Sequence, residues 1–294
     1  MTTLQQKIDF AVILRIKNAN PNGDPLNGNR PRTDYSNYGE MTDVCIKRKI
    51  RDRLLERWVS DGGKDDGSMI FVQSDDRKVD SAKSLRARAE LALGNKLGSE
   101  ETAKLACEKW FDVRAFGQLF ALKGNKKAGK KKEGNSDEES DTGVSIGIRG
   151  PVTMQSAFSV EPIDISSIQI TKSVSGEGDG AKRSSDTMGM KHRVDHGVYV
   201  FYGSMNPQLA EKTGFTDADA LAIKAVLPKL LENDESSARP AGSMEVLKVV
   251  WWKHNCKSGQ HSSAKVHRSL TVKPDGTIEL ATLSGLIPEL IEGF

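Results

Sequence analysis

Alternating hydrophobic and polar positions open the chain and predict its first strand. Apolar side chains occupy every second position from Ile8 to Ile16, and the intervening positions end in two cations, Arg15 and Lys17. Side chains of a strand alternate between two faces, so one face is apolar and the other ends in positive charge. The segment 18–31, NANPNGDPLNGNRP, is rich in residues that favour turns. We therefore predict a long loop directly after this strand.

A helical pattern follows the loop. Thr42 is a residue type that caps helix N-termini, and apolar residues recur every four positions from Ile46 to Trp58, which predicts a helix to about Val59. Its other faces carry six cations against two carboxylates. The cations are Lys47, Arg48, Lys49, Arg51, Arg53 and Arg57. Such a run is compatible with an ordinary solvated surface and with a contact surface for nucleic acid.

The rest of the pattern predicts a mixture of helices and strands in one domain, 1–294. Helices are predicted at 81–93, 100–111 and 216–231, the last broken near Pro228. Strands are predicted at 144–148, 152–160, 194–205, 245–254, 266–273 and 277–281. A protruding hairpin is predicted at 163–193, around a glycine-rich tip. This order predicts an α+β fold in which helices cover a sheet, compatible with a split βαβ unit.

One segment lacks the apolar residues needed for packing. Residues 123–142 contain a block of lysines followed by a block of acidic residues. Such a segment cannot bury enough surface to offset the entropy lost on ordering, so we predict a mobile charged loop. Because its charges balance, it is a poor candidate for a specific nucleic-acid site.

Composition and charge bound the class of protein. The 294 residues are 37% hydrophobic, which suffices for an ordinary core. Net charge is +3, from 43 basic and 40 acidic residues, so the overall charge does not indicate a nucleic-acid binder. The apolar stretches are too short to cross a bilayer, and the N-terminus lacks a signal-peptide pattern. We expect a soluble cytoplasmic protein without membrane partners.

Candidate catalytic groups are few. Cys45, Cys107 and Cys256 are far apart and predict buried thiols rather than disulfides or a zinc site. His192 and His196 stand four apart, but in a probable strand this spacing does not build a metal site. The loop carboxylates Asp24 and Asp34 could hold a divalent metal near a phosphodiester, although Asp is also common in turns. A metal-dependent endoribonuclease therefore stays open as an alternative, while we expect no cofactor or metal.

Positive side chains are concentrated in the N-terminal part of the chain. They come from the first strand, its loop and the following helix: Arg15, Lys17, Arg30, Arg32, Lys47, Arg48 and Arg51. If these groups converge, they form a groove that binds phosphates. The cationic face of the first strand has no aromatic residue for base stacking, which favours tracking of the RNA backbone over reading of bases.

Several segments in a fixed order resemble a known family. They are NANPNGDP, VCIKRKIRDRL, DVRAFGQLFA, GIRGPVTMQSAFSVEPI and MKHRVDHGVYVFYGSMN. With these segments the chain resembles the Cas7 family of the RAMP superfamily, and in particular its type I-C branch, the backbone subunit of Cascade. The segments span most of the chain, and their joint order is more specific than any one of them.

The resemblance implies a fold and a function. The fold would be a modified RNA-recognition (ferredoxin-like) palm with helical insertions and a long β-hairpin thumb, which falls at 163–193. The function would be non-catalytic: copies stack head to tail along a guide RNA (crRNA) and present it for pairing with target DNA in antiviral defence. The other partners would be the guide-processing, large and small Cascade subunits. Type III relatives cut RNA with a loop aspartate, which is the enzymatic alternative.

The resemblance also implies individual contacts with the guide. Lys47 and Arg51 align with basic helix residues of the family, and the loop 18–24 aligns with a turn that approaches phosphates. Leu119 matches a position for an apolar residue against a base, and Met188 would be a second apolar wedge. The full set of expected RNA contacts adds Asn18, Asn20, Asn22, Gly23, Arg114, Phe116, Gly117 and Lys191.

Overall fold

Strands and helices fill most of the computed structural model, which describes residues 2–122, 144–171 and 188–294. The strands are β1 Ile8–Ala19, β2 Gly23–Asp24, β3 Arg30–Pro31, β4 Tyr38–Met41, β5 Gly117–Leu122, β6 Val144–Arg149, β7 Val152–Met154, β8 Ala157–Pro162, β9 Ile165–Thr171, β10 Met188–Met205, β11 Met244–Lys253, β12 Leu270–Val272, β13 Ile278–Leu280 and β14 Glu289–Glu292. The helices are α1 Asp43–Ser60, α2 Leu85–Leu93, α3 Thr102–Lys109, α4 Phe111–Phe116, α5 Pro207–Thr213, α6 Asp217–Val226 and α7 Ser263–Arg268. The predicted loop 123–142 and the tip of the predicted hairpin lie outside the described residues.

A large antiparallel sheet organises the fold. Its strand order is β14-β11-β1-β10-β8-β4, and β7 and β9 also pair with β10. The central strand β1 pairs with β10 from Ile8 opposite Met205 to Ala19 opposite Val194. Two-stranded sheets β2-β3, β5-β6 and β12-β13 lie outside it. The predicted mixture of helices around a sheet is thereby confirmed.

The alternation of β1 sorts its side chains between two cores. Phe10, Val12 and their neighbours of the same parity pack with Ile46 and Ile50 of α1 in the main core. Ala11 and Ile13 face the other way and pack with residues of the C-terminal segment that contains α7 and β12. Both faces of β1 are therefore covered over most of its length, and Arg15 and Lys17 lie at the end of the second face.

Local signals placed most elements correctly. The Thr42 side chain accepts the backbone N–H of Cys45 as the N-cap of α1. The predicted break near Pro228 is confirmed, because α6 ends at Val226 and a 3₁₀ turn covers Leu227–Lys229. The predicted strand 266–273 is wrong in its first part, which belongs to α7. The Ser262 hydroxyl caps that helix by accepting the N–H of Lys265, and the strand is limited to β12.

The cysteines differ in exposure. Cys107 is buried, Cys45 is half-buried and Cys256 is exposed, so the prediction of three buried thiols is wrong for Cys256. Burial raises the pKa of the Cys107 thiol to about 11. In the described residues, no helix is both long and apolar enough to span a membrane.

A buried carboxylate joins α1 to the helical part of the chain. Asp112 is fully buried and accepts the backbone N–H groups of Phe71 at 2.6 Å and Val72 at 3.1 Å. Arg51 donates its Nε–H to the same carboxylate at 2.8 Å. This network fixes α1, α4 and the segment before α2 against one another.

We predict that Asp112→Ala lowers the free energy of unfolding by about 3–5 kcal/mol, because it leaves a half-buried guanidinium and two backbone donors without their acceptor. Urea titration followed by circular dichroism measures the change. The control is Glu90→Ala, which removes an exposed pair with Arg86 on α2 and should cost less than about 1 kcal/mol. Equal effects of the two substitutions would contradict the role given to Asp112.

Candidate nucleic-acid interface

The loop after β1 is held in one shape by its own polar groups. Asn18, the last but one residue of β1, has a φ of +54°, in the left-handed region that Asn tolerates. Asn20 donates its side-chain amide to the carbonyl of Asn29 at 2.7 Å and its backbone N–H to the carbonyl of Ala238 at 2.9 Å. A side chain at Gly23 would meet Asn29, since a Cβ there would lie 2.0 Å from Asn29 Oδ1. Asn and Gly are therefore needed for the path of the loop.

The loop is attached to the N-terminus of α1. Asn22 Oδ1 accepts the backbone N–H of Thr42 at 3.0 Å and its hydroxyl at 3.1 Å. The same Thr42 caps the helix, so one residue serves both elements. Lys47, in the second turn of that helix, is thus fixed relative to the loop.

The other side of the loop contacts the base of the hairpin β9-β10. Arg30 donates Nη1–H to Ser167 Oγ at 3.0 Å, and His192 Nδ1 lies 2.9 Å from the same hydroxyl. Ser167 and His192 are direct cross-strand partners. We call Arg30, Ser167 and His192 the loop–hairpin junction. It brings a predicted loop contact next to the predicted thumb.

The two faces of the hairpin differ in chemistry. Met188 and Met190 alternate with His192 on the face of the junction, and both methionines are more than half exposed. Lys191 lies on the opposite face, where Ile168 is its cross-strand partner. The predicted contacts Met188 and Lys191 therefore do not share a surface.

The cations of α1 are largely neutralised by carboxylates. The pairs are Lys47–Asp43 at 2.8 Å, Arg48–Asp52 at 3.1 Å, Lys49–Asp234, Arg51–Asp112 at 2.8 Å, Arg53–Glu56 at 2.6 Å and Arg57–Asp61 at 3.7 Å. Three of these carboxylates, Asp61, Asp112 and Asp234, lie outside the helix. They neutralise much of the positive charge excess that the sequence of the helix indicates. Among the predicted contacts on this helix, Lys47 and Arg48 are the most accessible, with 25% and 47% of their side chains exposed.

Four other predicted contacts have structural roles. The Arg51 guanidinium carbon lies 5.1 Å from the centre of the Phe116 ring, in addition to its bond with Asp112. Arg114 forms two bonds to Asp219, at 2.7 and 3.0 Å. Gly117 has a φ of +82°, and a Cβ there would lie 2.2 Å from a backbone oxygen of β6. These residues hold the helices and β5 in place, whereas Leu119 is 61% exposed on β5.

The predicted convergence of all seven cations is wrong. Arg15 and Lys17 leave β1 on the face opposite α1, because they share the parity of Ala11 and Ile13. Together with Glu245 and other groups they line a separate cavity of about 410 Å³, and Arg15 pairs with Glu245 at 3.0 Å. The cations of the loop and of the N-terminal part of α1 therefore belong to one surface, and Arg15 and Lys17 at the end of β1 belong to another.

The loop carboxylates stabilise turns. Asp24 accepts the N–H of Leu26 at 3.2 Å and lies 3.3 Å from Arg32 Nη2. Asp34 accepts the N–H groups of Ser36 and Tyr38. Within residues 2–122, 144–171 and 188–294, no group of three or more His, Cys, Asp or Glu side chains is arranged to hold a metal ion.

Sequence reasoning did not place Ser167, His192 or Met190 in the interface. The alternation in MGMKHR, with Met188, Met190 and His192 at every second position, is a signal for one face of a strand. Ser167 has no such signal, because its role depends on a partner 137 residues away in the sequence.

Comparisons with known proteins identify the family of the chain. A relative from Haloferax volcanii, described as CRISPR-associated protein Cas7, is 23% identical over 298 residues, covering 99% of this chain and 82% of the relative. Two similar solved chains come from a CRISPR RNA-guided surveillance complex, pre-nicking (TM-score 0.46, 15% identity, 84% of this chain and 78% of that chain), and from a CRISPR RNA-guided surveillance complex (TM-score 0.41, 18% identity, 84% and 68%). The family model for CRISPR-associated protein Cas7 matches residues 6–284. Because that match spans nearly the whole sequence, the chain belongs to the CRISPR-associated protein Cas7 family.

Proposed function

We propose that this chain is a non-catalytic subunit that binds guide RNA (crRNA) and forms the backbone of a type I-C CRISPR surveillance complex, Cascade. Copies stack head to tail along the guide and present it for pairing with target DNA in antiviral defence. Family membership supports the general role. The observation that carries the proposal is the loop–hairpin junction, in which Arg30 joins the loop after β1 to the base of a hairpin with exposed side chains.

In this proposal the large sheet and its helices form a modified RNA-recognition palm, and the hairpin at 163–193 is the thumb. The strand β10 supports this division. It is 18 residues long, whereas its partner β1 has 12, so its first part extends beyond β1 and is paired with β9 on the opposite edge. A hairpin that leaves the sheet in this way can reach over RNA held at the palm.

The guide passes over the loop–hairpin junction. Arg30 is half-buried against Ser167 and offers a charged donor suited to phosphate oxygens. Met188 and Met190, on the same face, are apolar side chains that can pack against a base. Such contacts depend on shape and charge rather than on base identity, which leaves the sequence to be read by pairing with the target.

Neighbouring copies extend this surface. The other proposed contacts are Arg15, Lys17, Asn18, Asn20, Asn22, Gly23, Arg32, Lys47, Arg48, Leu119 and Lys191. Arg15 and Lys17 on the second face of the sheet, and Lys191 on the hairpin face opposite the junction, can reach RNA held by an adjacent copy. Arg51, Arg114, Phe116 and Gly117 position these elements. The guide-processing, large and small subunits complete the proposed complex, which acts in the cytoplasm without a cofactor.

We predict that Arg30→Ala weakens binding to a single-stranded RNA of guide length and makes its salt dependence shallower. The slope of log affinity against log salt should fall by about 0.7, since one phosphate contact is lost per copy. Fluorescence anisotropy at several salt concentrations measures the slope. The control is Arg86→Ala, which removes an exposed cation of α2 that pairs with Glu90. An unchanged slope for Arg30→Ala would place the RNA elsewhere.

We also predict that assemblies incubated with magnesium and RNA complementary to the guide give no cleavage products. Both loop carboxylates already bind backbone N–H groups, and a metal would have to compete with those bonds. Gel electrophoresis of end-labelled RNA is the measurement. Products that disappear with Asp24→Ala or Asp34→Ala would support the endoribonuclease alternative instead.

A further inference from the structure

His192 lies at the base of the hairpin and is half-buried there. Its Nδ1 is 2.9 Å from the hydroxyl oxygen of Ser167, its cross-strand partner on β9. Arg30 of β3 donates its Nη1–H to the same oxygen at 3.0 Å. One hydroxyl oxygen therefore connects a guanidinium of the loop to an imidazole of the hairpin.

The number of hydrogens in this group limits what it can donate to a ligand. A serine hydroxyl has one hydrogen and two acceptor lone pairs, and Arg30 occupies one of the lone pairs of Ser167. A neutral imidazole has a single N–H. If that hydrogen is on Nε2, Nδ1 must accept the hydroxyl hydrogen. If it is on Nδ1, the hydroxyl hydrogen is free but Nε2 has none, so in either tautomer Ser167 and His192 together offer one hydrogen to a ligand.

Protonation of His192 changes this number. An imidazolium has a hydrogen on both nitrogens, so its Nδ1–H donates to the Ser167 oxygen, which then accepts from two cations. The hydroxyl hydrogen and the Nε2–H both become available to an anion. One proton thus adds a hydrogen-bond donor and a positive charge beside Arg30, whichever tautomer the neutral ring had.

The charged groups around His192 are mostly paired with one another. The titratable or charged side chains of the surrounding elements are Asp24, Arg30 and Arg32 of the loop, Asp164 before β9, and Lys191, Arg193, Asp195 and His196 of β10. Asp24 lies 3.3 Å from Arg32. Asp195 is on the face of β10 opposite His192, where it accepts the Ser166 hydroxyl at 2.8 Å and lies 3.9 Å from Arg193. The strand β9 itself has no charged residue.

Arg30 and His192 are left without a carboxylate. In the ranges 2–122, 144–171 and 188–294, no Asp or Glu oxygen lies within 4.0 Å of the side-chain nitrogens of either residue. Two positive charges that share one hydroxyl repel each other, and an anion between them offsets this repulsion. A phosphodiester supplies that charge and two oxygens that accept hydrogen bonds from cationic donors.

We propose that Arg30, Ser167 and His192 form one phosphate site, and that His192 takes up a proton when an RNA phosphate binds there. This inference rests on the proposed function, in which the guide crosses the loop–hairpin junction, and it adds a pH dependence to that contact. The protonated ring binds phosphate more tightly, so the affinity for RNA is highest at about pH 6 and falls as the pH rises to about 8, the range in which histidine changes its charge.

Binding of a short uridine oligomer that one copy can cover tests the proposal, because uracil stays uncharged in this range. Fluorescence anisotropy should show that the wild type binds about threefold more tightly at about pH 6 than at about pH 8. The slope of log affinity against log salt should be steeper by about 0.7 at the lower pH, since one more phosphate charge is neutralised.

Two substitutions at His192 separate its charge from its shape. His192→Gln keeps a hydrogen-bonding side chain but cannot become charged, so its affinity and salt slope should be the same at both pH values. His192→Lys is charged at both pH values, so it should bind more tightly than the wild type at about pH 8 and show no pH dependence. The matched control is His196→Gln, which removes an exposed histidine of the same strand and should keep the wild-type pH dependence.

The outcomes distinguish this inference from the proposed function. Equal wild-type affinity at both pH values, a pH dependence that persists in His192→Gln, or one that disappears in His196→Gln overturns the inference. Weak binding by His192→Gln at both pH values without recovery in His192→Lys gives the side chain a structural role and also overturns it. If circular dichroism shows that His192→Gln does not fold, His192→Lys against the wild type decides. Failure of the wild type to bind RNA at either pH would instead contradict the proposed function.

Discussion

The pairing of β1 with β10 is the constraint on which the rest of the structure depends. β1 is buried on both faces for most of its length, so its register with β10 is strongly fixed. Because β10 is longer, its first residues lie past the end of β1 and form a hairpin with β9, which pairs with the opposite edge of β10. The loop after β1 emerges at the same end of the sheet and rests on this hairpin through Arg30. The position of the candidate RNA surface thus follows from the unequal lengths of two paired strands.

Charge on α1 is balanced by ion pairs, two of them with distant residues, rather than left as a net excess. Two of the six cations of α1, Arg51 and Lys49, bind Asp112 and Asp234, which lie 61 and 185 residues further along the chain. The other four each pair with a carboxylate within four residues. These two long-range pairs join α1 to its neighbours and leave fewer accessible cations. A surface with few free cations can hold RNA at modest affinity per copy, and many copies on one RNA add their contacts.

Local signals in the sequence were sufficient for much of the fold. Alternation fixed the faces of β1, Thr42 marked the start of α1, and Pro228 marked the end of α6, since each depends only on nearby residues. The site was harder to predict. Asn22, Arg30 and Lys47 were recognised as candidates, but their separation from Arg15 and Lys17 depends on which face of the sheet α1 covers. The helix at α7 was missed because Val266 and Leu270 fit a strand as well as a helix, and the cap at Ser262 decides between them.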